Sequence, residues 1–274
     1  MSDQMTLSKA PAMKVVVGTE KTSWIVPGRR PELKYREYGI TDATNGRMRA
    51  QVFSGEKGMT RPTGWHYHVC EMQFVYMLKG WIELEFHDRG LVRFNAGDTV
   101  HIPGGLVHQE VHTSENFELL EVSIPADMGT VNCDRPNAAT RKPKMTLAMT
   151  TPETGRFVEG RRAFFKYRDL GVGEATGGKM RAQITSTEVG LSQPTGWHYH
   201  TCEMQLVYML KGWIDLDFAD GRSARLQPGE CVLIPGGAPH QEIGTSPTFE
   251  LLELSVPGEM GTVACGPPAL ASRQ

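Results

Sequence analysis

Residues 63–81 read TGWHYHVCEMQFVYMLKGW, and residues 195–213 read TGWHYHTCEMQLVYMLKGW. Such long strings do not recur by chance, so the repeat is followed outward from His66 and His198, which stand 132 residues apart. At the same offset GRRPELKYREYG (28–39) meets GRRAFFKYRDLG (160–171), and MRAQV (48–52) meets MRAQI (180–184). FELLEVSIPADMGTV (117–131) meets FELLELSVPGEMGTV (249–263), Cys133 meets Cys265, and no insertion is needed. A unit of this length is a whole domain rather than a solenoid repeat. The chain is therefore read as two duplicated domains, 1–140 and 141–274. They meet near CDRPNAATRKPKMT (133–146), whose polar residues and two prolines suit a connection.

Within each unit the pattern is that of strands. QFVYMLKGWIELEF holds two runs of strand formers split by Lys79-Gly80, and the second copy splits at Lys211-Gly212. Glu83 and Glu85 alternate with Ile82, Leu84 and Phe86, the period of a half-buried strand. GDTVHIPGG, GECVLIPGG and FELLEVSIP add further short strands, and convincing amphipathic helices are few, the segment near the amino terminus being a weak candidate. Many short, evenly spaced strands predict an all-β sandwich or barrel.

Two histidines one residue apart, then Gln73 and Gly80, resemble the first motif of the cupin superfamily. His66, His68, Gln73 and Gly80 keep its spacing, and so do His198, His200, Gln205 and Gly212. Gly97, Pro103, Gly105 and His108 fit the second motif, as do Gly229, Pro235, Gly237 and His240. The resemblance spans about residues 28–131 and 160–263. It implies a bicupin: two tandem jelly-roll (double-stranded β-helix) barrels, each able to hold a divalent transition metal. The bicupin layout favours Fe(II), with Zn(II), Mn(II) or Ni(II) as alternatives. The implied ligands are His66, His68, Gln73 and His108 in one domain, and His198, His200, Gln205 and His240 in the other.

Residue chemistry agrees. Residues two apart on a strand share a face, so His66 and His68 can chelate one ion. Imidazole suits Fe(II), Ni(II), Cu(II), Zn(II) and Mn(II). Most metal-binding cupins carry glutamate where Gln73 and Gln205 stand. Three imidazoles and an amide leave the ion's charge uncompensated, which favours an anionic, oxygen-rich ligand. Glu71 and Glu203, two residues before each glutamine, are candidate catalytic acids or bases, or rival fourth ligands.

Several other residues carry expectations. Arg49 and Arg181 could clamp a substrate carboxylate or form a salt bridge. Glu110 and Glu242 follow the last histidine by two and are candidates for the cavity face. Cys70 and Cys202 read as small packing residues beside the ligands, and Trp65, Trp81, Trp197 and Trp213 as packing residues. His87, His101 and His112 become Ala219, Leu233 and Gly244 in the second copy, so the two sites need not be alike; His112 could widen the first site's polar wall.

The functional expectation is a metal-dependent enzyme acting on a small, anionic or oxygen-chelating molecule. A dioxygenase cleaving an aromatic, enol or diketone compound stands ahead of a non-redox isomerase, cyclase or lyase. A non-catalytic ligand-binding bicupin is the reading from another class. With 29 basic against 31 acidic residues, nucleic acid and anionic membranes are not expected partners. The opening MSDQMTLSKAPAMKVVVG lacks the pattern of a secretory signal, and five cysteines show no paired framework. A cytoplasmic protein is expected, with a homodimer as a possible assembly.

Overall fold

The computed structural model describes residues 12–28, 33–137, 140, 143–155, 157–159 and 164–267. The opening segment 1–11 and the stretches 29–32 and 160–163 of the repeat lie outside them. The chain is all-β. Among the described residues helix is confined to two single turns, Ile40–Ala43 and Val172–Ala175. Lys79-Gly80 does break the chain between two strands, but not as the hairpin that the two strand-forming runs suggest: Met72–Lys79 and Trp81–Phe86 lie in different sheets, and the turn carries the chain from one sheet to the other. Gly80 has φ +71°, and Ser114 and Phe117 crowd the place a Cβ would take, so no other residue fits.

Each half is two antiparallel sheets facing one another. In the first half, a seven-stranded sheet runs Ala148–Thr150, Thr99–Pro103, Met72–Lys79, Phe117–Ile124, Arg49–Gly55, Leu33–Glu37, Trp24–Pro27. A five-stranded sheet runs Gly129–Asn132, His66–Val69, His108–Thr113, Trp81–Phe86, Gly90–Asn95. The second half repeats both at the same offset. Burial alternates along Trp81–Phe86 as expected, with Ile82, Leu84 and Phe86 inside and Glu83 and Glu85 outside.

Both faces of the larger sheets are buried, for different reasons. On Met72–Lys79, Val75 and Met77 join the barrel interior with Phe86, Leu119 and Phe117. Met72, Phe74 and Tyr76 point the other way and pack with Met204, Leu206 and Tyr208 of the second half in one continuous core. A fully buried Leu or Phe contributes roughly 1.5–3 kcal/mol. The half-exposed Arg47–Glu203 ion pair across this seam is worth about 0–1 kcal/mol. Apolar packing therefore holds the halves together.

The halves also trade a strand. Val16–Gly18 pairs with Cys231–Pro235, placing Val16 opposite Leu233. Ala148–Thr150 pairs with Thr99–Pro103, placing Ala148 opposite His101. Both are the same repeat position, so the exchange is reciprocal. The units 1–140 and 141–274 stand as the proposed covalent division, with one strand crossing it each way.

His101 sits in this seam, 1% exposed. Its Nδ1 bonds the Thr146 carbonyl oxygen at 3.0 Å, and among the described residues its buried Nε2 has no partner. Burial pulls its pKa down from 6.5 to about 4, the Thr146 bond opposing. The unfolded chain therefore binds this proton between about pH 6.5 and 4 while the folded chain does not, and stability falls as pH drops through that window. Replacing His101 with leucine, the residue its counterpart Leu233 already is, removes that loss. Thermal melts at pH 7 and pH 4.5 should show a smaller acid-induced drop in Tm for His101→Leu. An equal drop in both proteins would refute the assignment.

Candidate metal centres

His66–Val69 and His108–Thr113 are paired so that His66 stands opposite His108, and His68 follows two residues on, on the same face. The three imidazoles converge inside the barrel, with ring centroids 4.7–5.3 Å apart. One ligand atom from each lies within 4.8 Å of the others, and His198, His200 and His240 repeat the arrangement. All six are buried.

Backbone and threonine groups set the rings. His66 Nδ1–H donates to the Gly64 carbonyl at 2.8 Å and His108 Nδ1–H to Leu106 at 2.9 Å. In the other half His198 and His240 donate to Gly196 and Ala238, both at 2.9 Å. His68 and His200 meet Thr130 and Thr262 through Nδ1, each at 3.2 Å. With Nδ1 donating to a carbonyl, His66, His108, His198 and His240 keep the lone pair on Nε2, the tautomer a metal requires. Burial lowers the pKa of His108, and it lowers that of His240 to about 4, so both are neutral and able to ligate at pH 7.

The glutamines come from the opposite sheet. Gln73 is 4% exposed and shares the interior face with Val75. Among the described residues its Oε1 is buried without a hydrogen-bond partner, as are His108 Nε2 and, in the second half, Gln205 Oε1. Orphaned buried acceptors of this kind are uncommon, and a cation satisfies them. The donor set of three imidazoles and one amide oxygen therefore fits a divalent transition metal in each half. The turn between the ligands depends on Gly104 and Gly236, where any Cβ would collide with the Cys70 or Cys202 carbonyl.

The family model of the cupin domain matches residues 56–123 and 187–256, half of the chain. The chain is a duplicated cupin. Comparison with curated proteins finds no match. Among solved structures, oxalate decarboxylase from Bacillus subtilis, studied for its Mn(II) centres, superposes with a TM-score of 0.66 at 12% identity, covering 93% of this chain and 80% of that one. The same enzyme at pH 4.6 gives 0.66 and 12%, covering 93% and 79%. A variant with tryptophan replaced by tyrosine gives 0.65 and 12%, covering 93% and 80%. At such identity the likeness is one of fold.

Other expected residues of the bicupin fall inside and outside these centres. Glu110 and Glu242 do face the cavity: Glu110 Oε2 lies 3.7 Å from His66 Nε2, and Glu242 Oε2 lies 4.0 Å from His198 Nε2. Thr63 and Thr195 donate to these same oxygens. Burial would raise both carboxyls, but the histidines and the threonine bonds hold them below the usual range. Glu71 and Glu203 are not brought to the histidine groups. They sit in the bends between strands and share one arginine, Arg47, whose Nη1 is 3.2 Å from Glu71 Oε1 and whose Nε is 3.2 Å from Glu203 Oε1. The two-residue spacing to glutamine failed because a bend, not a strand, carries them. His112 is likewise turned out: a bulge between Glu110 and His112 reverses its face, and it meets Glu83 at 3.1 Å on the surface.

Among the described residues Cys70 and Cys202 do not join the histidine groups, and Trp65, Trp81, Trp197 and Trp213 are half-buried. Burial pushes the Cys70 thiol up to about 12 and Cys202 up to about 11, so both stay protonated. Arg93 and Arg225 lie over the Trp81 and Trp213 rings at 3.9 and 3.8 Å. The sequence reading missed Glu121 and Glu253. Glu121 accepts the Gln73 amide at 2.7 Å, a contact spanning 48 residues that no local spacing signals.

Proposed function

We propose that each half of this bicupin is a metal-dependent active site for a small anionic substrate, and that the reaction turns on a proton moved by Glu110 or Glu242. The carboxylate beside each histidine group, 3.7 or 4.0 Å from its first imidazole, carries this reading. A divalent ion, Mn(II) or Fe(II), held by His66, His68, His108 and Gln73, and by their counterparts, supplies Lewis acidity toward substrate oxygens. Glu110 stands to one side of that ligand set, where a base reaches a proton on the substrate without occupying a ligand position. The class this supports is lyase or isomerase chemistry on a carboxylic acid. The apolar interior beneath the ligands, lined by Val75, Met77 and Phe86, favours a second reading, oxygen-dependent cleavage of an enol or aromatic compound.

Arg49 and Arg181 suit the anionic end of such a substrate. Ser123 is opposite both Arg49 and Gln73, so one small residue separates the arginine from the ligand strand. The two backbones are thus about 10 Å apart, two strand spacings. Ser255 repeats this between Arg181 and Gln205. Among the described residues no carboxylate lies within ion-pair distance of either arginine, although Glu37 feels the charge of Arg49. Calorimetry with dicarboxylates from oxalate to glutarate should show binding to the metal-loaded protein. Arg49→Met with Arg181→Met should weaken it by about ten- to a hundredfold, the loss of a charged hydrogen bond. Unchanged affinity would remove the arginines from the site.

The test of the reaction is product analysis with the same acids, and with catechol and diketone probes, under air and under argon. Turnover that survives argon supports proton-transfer chemistry. Turnover that requires air overturns it in favour of the dioxygenase, and binding without turnover leaves a ligand-binding bicupin.

A further inference from the structure

Behind the glutamines the two centres are built differently. In the first, Glu121 accepts hydrogen bonds at both oxygens, from Gln73 Nε2 at 2.7 Å and from Gln51 Nε2 at 2.5 Å. An amide with its nitrogen held this way can only present Oε1 to the histidines. In the second, Glu253 Oε2 accepts from Gln183 Nε2 at 3.0 Å and from the Thr185 hydroxyl at 3.3 Å. Among the described residues the Gln205 side chain has no hydrogen-bond partner.

The register does not account for this. Glu121 lies opposite Gln51 and Val75, and Glu253 lies opposite Gln183 and Val207, the same positions of the repeat. What differs is the residue two further along the same strand face, Phe53 in the first half and Thr185 in the second. Phe53 stacks on Tyr35 at 5.1 Å and meets Phe117 edge-on at 5.3 Å; it offers no donor, so both oxygens of Glu121 are left for amides. Thr185, 4% exposed, brings a hydroxyl to the same carboxylate.

We infer that the two metal centres are inequivalent, the first being the high-affinity one, with Glu121 as its positioning residue and the Phe53/Thr185 difference as the determinant. The inference rests on reading the two histidine groups as metal sites. Glu121 acts in two ways. It removes the rotational freedom that Gln205 must still lose on binding, and its charge polarises the Gln73 amide so that Oε1 becomes a stronger donor to a cation. The negative charge absent from a neutral ligand is thereby returned one hydrogen bond further out. Partners of metal ligands of this kind are worth about 10–100-fold in metal affinity.

Single-centre proteins test this. His240→Ala leaves the first centre and His108→Ala the second, and each is titrated with Mn(II), free ion being read by electron paramagnetic resonance. The first centre should bind at least about tenfold more tightly. Adding Glu121→Ala to the first protein should bring its affinity down to that of the second, whereas adding Glu253→Ala to the second should leave its affinity unchanged. Thr185→Phe should tighten the second centre. Circular dichroism checks the fold of each protein, with Glu121→Gln as the replacement should the alanine variant unfold. Affinities equal within twofold in the two single-centre proteins would overturn the inference. Failure of either protein to bind Mn(II), Fe(II) or Zn(II) would instead overturn the metal reading.

Discussion

Protein carrying both His108→Ala and His240→Ala should hold almost no metal, against two ions per chain in the parent, one for each histidine group. Each of these histidines is 1% exposed and gives its Nδ1 proton to a carbonyl two residues back, leaving Nε2 for the ion. Removing it leaves two imidazoles and an amide, too few strong donors for a first-row ion to resist a chelator. The same change unpairs the Leu106 and Ala238 carbonyls and costs about 1–3 kcal/mol per site if they stay buried. Lost metal must therefore be separated from lost fold. Metal analysis by mass spectrometry after dialysis against a chelator, with circular dichroism alongside, makes the separation. A folded variant at full occupancy would mean that the ion sits elsewhere.

Glu110→Gln with Glu242→Gln should lower turnover by about 10²–10⁴-fold, the range for loss of a general acid or base, and leave the metal content as it was. Glutamine keeps the size and can still accept the threonine hydrogen bond, so the change isolates the proton. Rate and metal content measured on one preparation divide the outcomes. If metal falls together with rate, the carboxylate is a ligand. If neither moves, it is a bystander and the proton-transfer proposal fails.

The histidines were legible because a strand has a fixed period: HYH puts two rings on one face wherever the strand lies. The same reasoning reached Glu110, since His108 and Glu110 share a strand. It broke wherever the period broke. Glu71 stands in a bend and His112 beyond a bulge, and both turn away from the centre. Arg47 and Glu121 were beyond reach for another reason. Their partners are 24 and 156 residues distant in one case and 48 and 70 in the other, and only the assembled sheets bring them together. The duplication itself was fully visible, but VVVG at 15–18 signals only a strand, not that its partner belongs to the other copy.

That traded strand gives the chain the topology of a dimer whose subunits happen to be tethered. A single unit with the same exchange would close on a second copy of itself about a two-fold axis, each copy clasping the other's edge. In such a symmetric pair every substitution appears twice. Joined in one polypeptide, the two copies keep the clasp and lose that constraint, so one can hold phenylalanine at position 53 while the other holds threonine at 185, and one histidine at 101 while the other holds leucine at 233. The tether's contribution is thus freedom to diverge more than cohesion, and two unlike centres within one symmetric frame are its product.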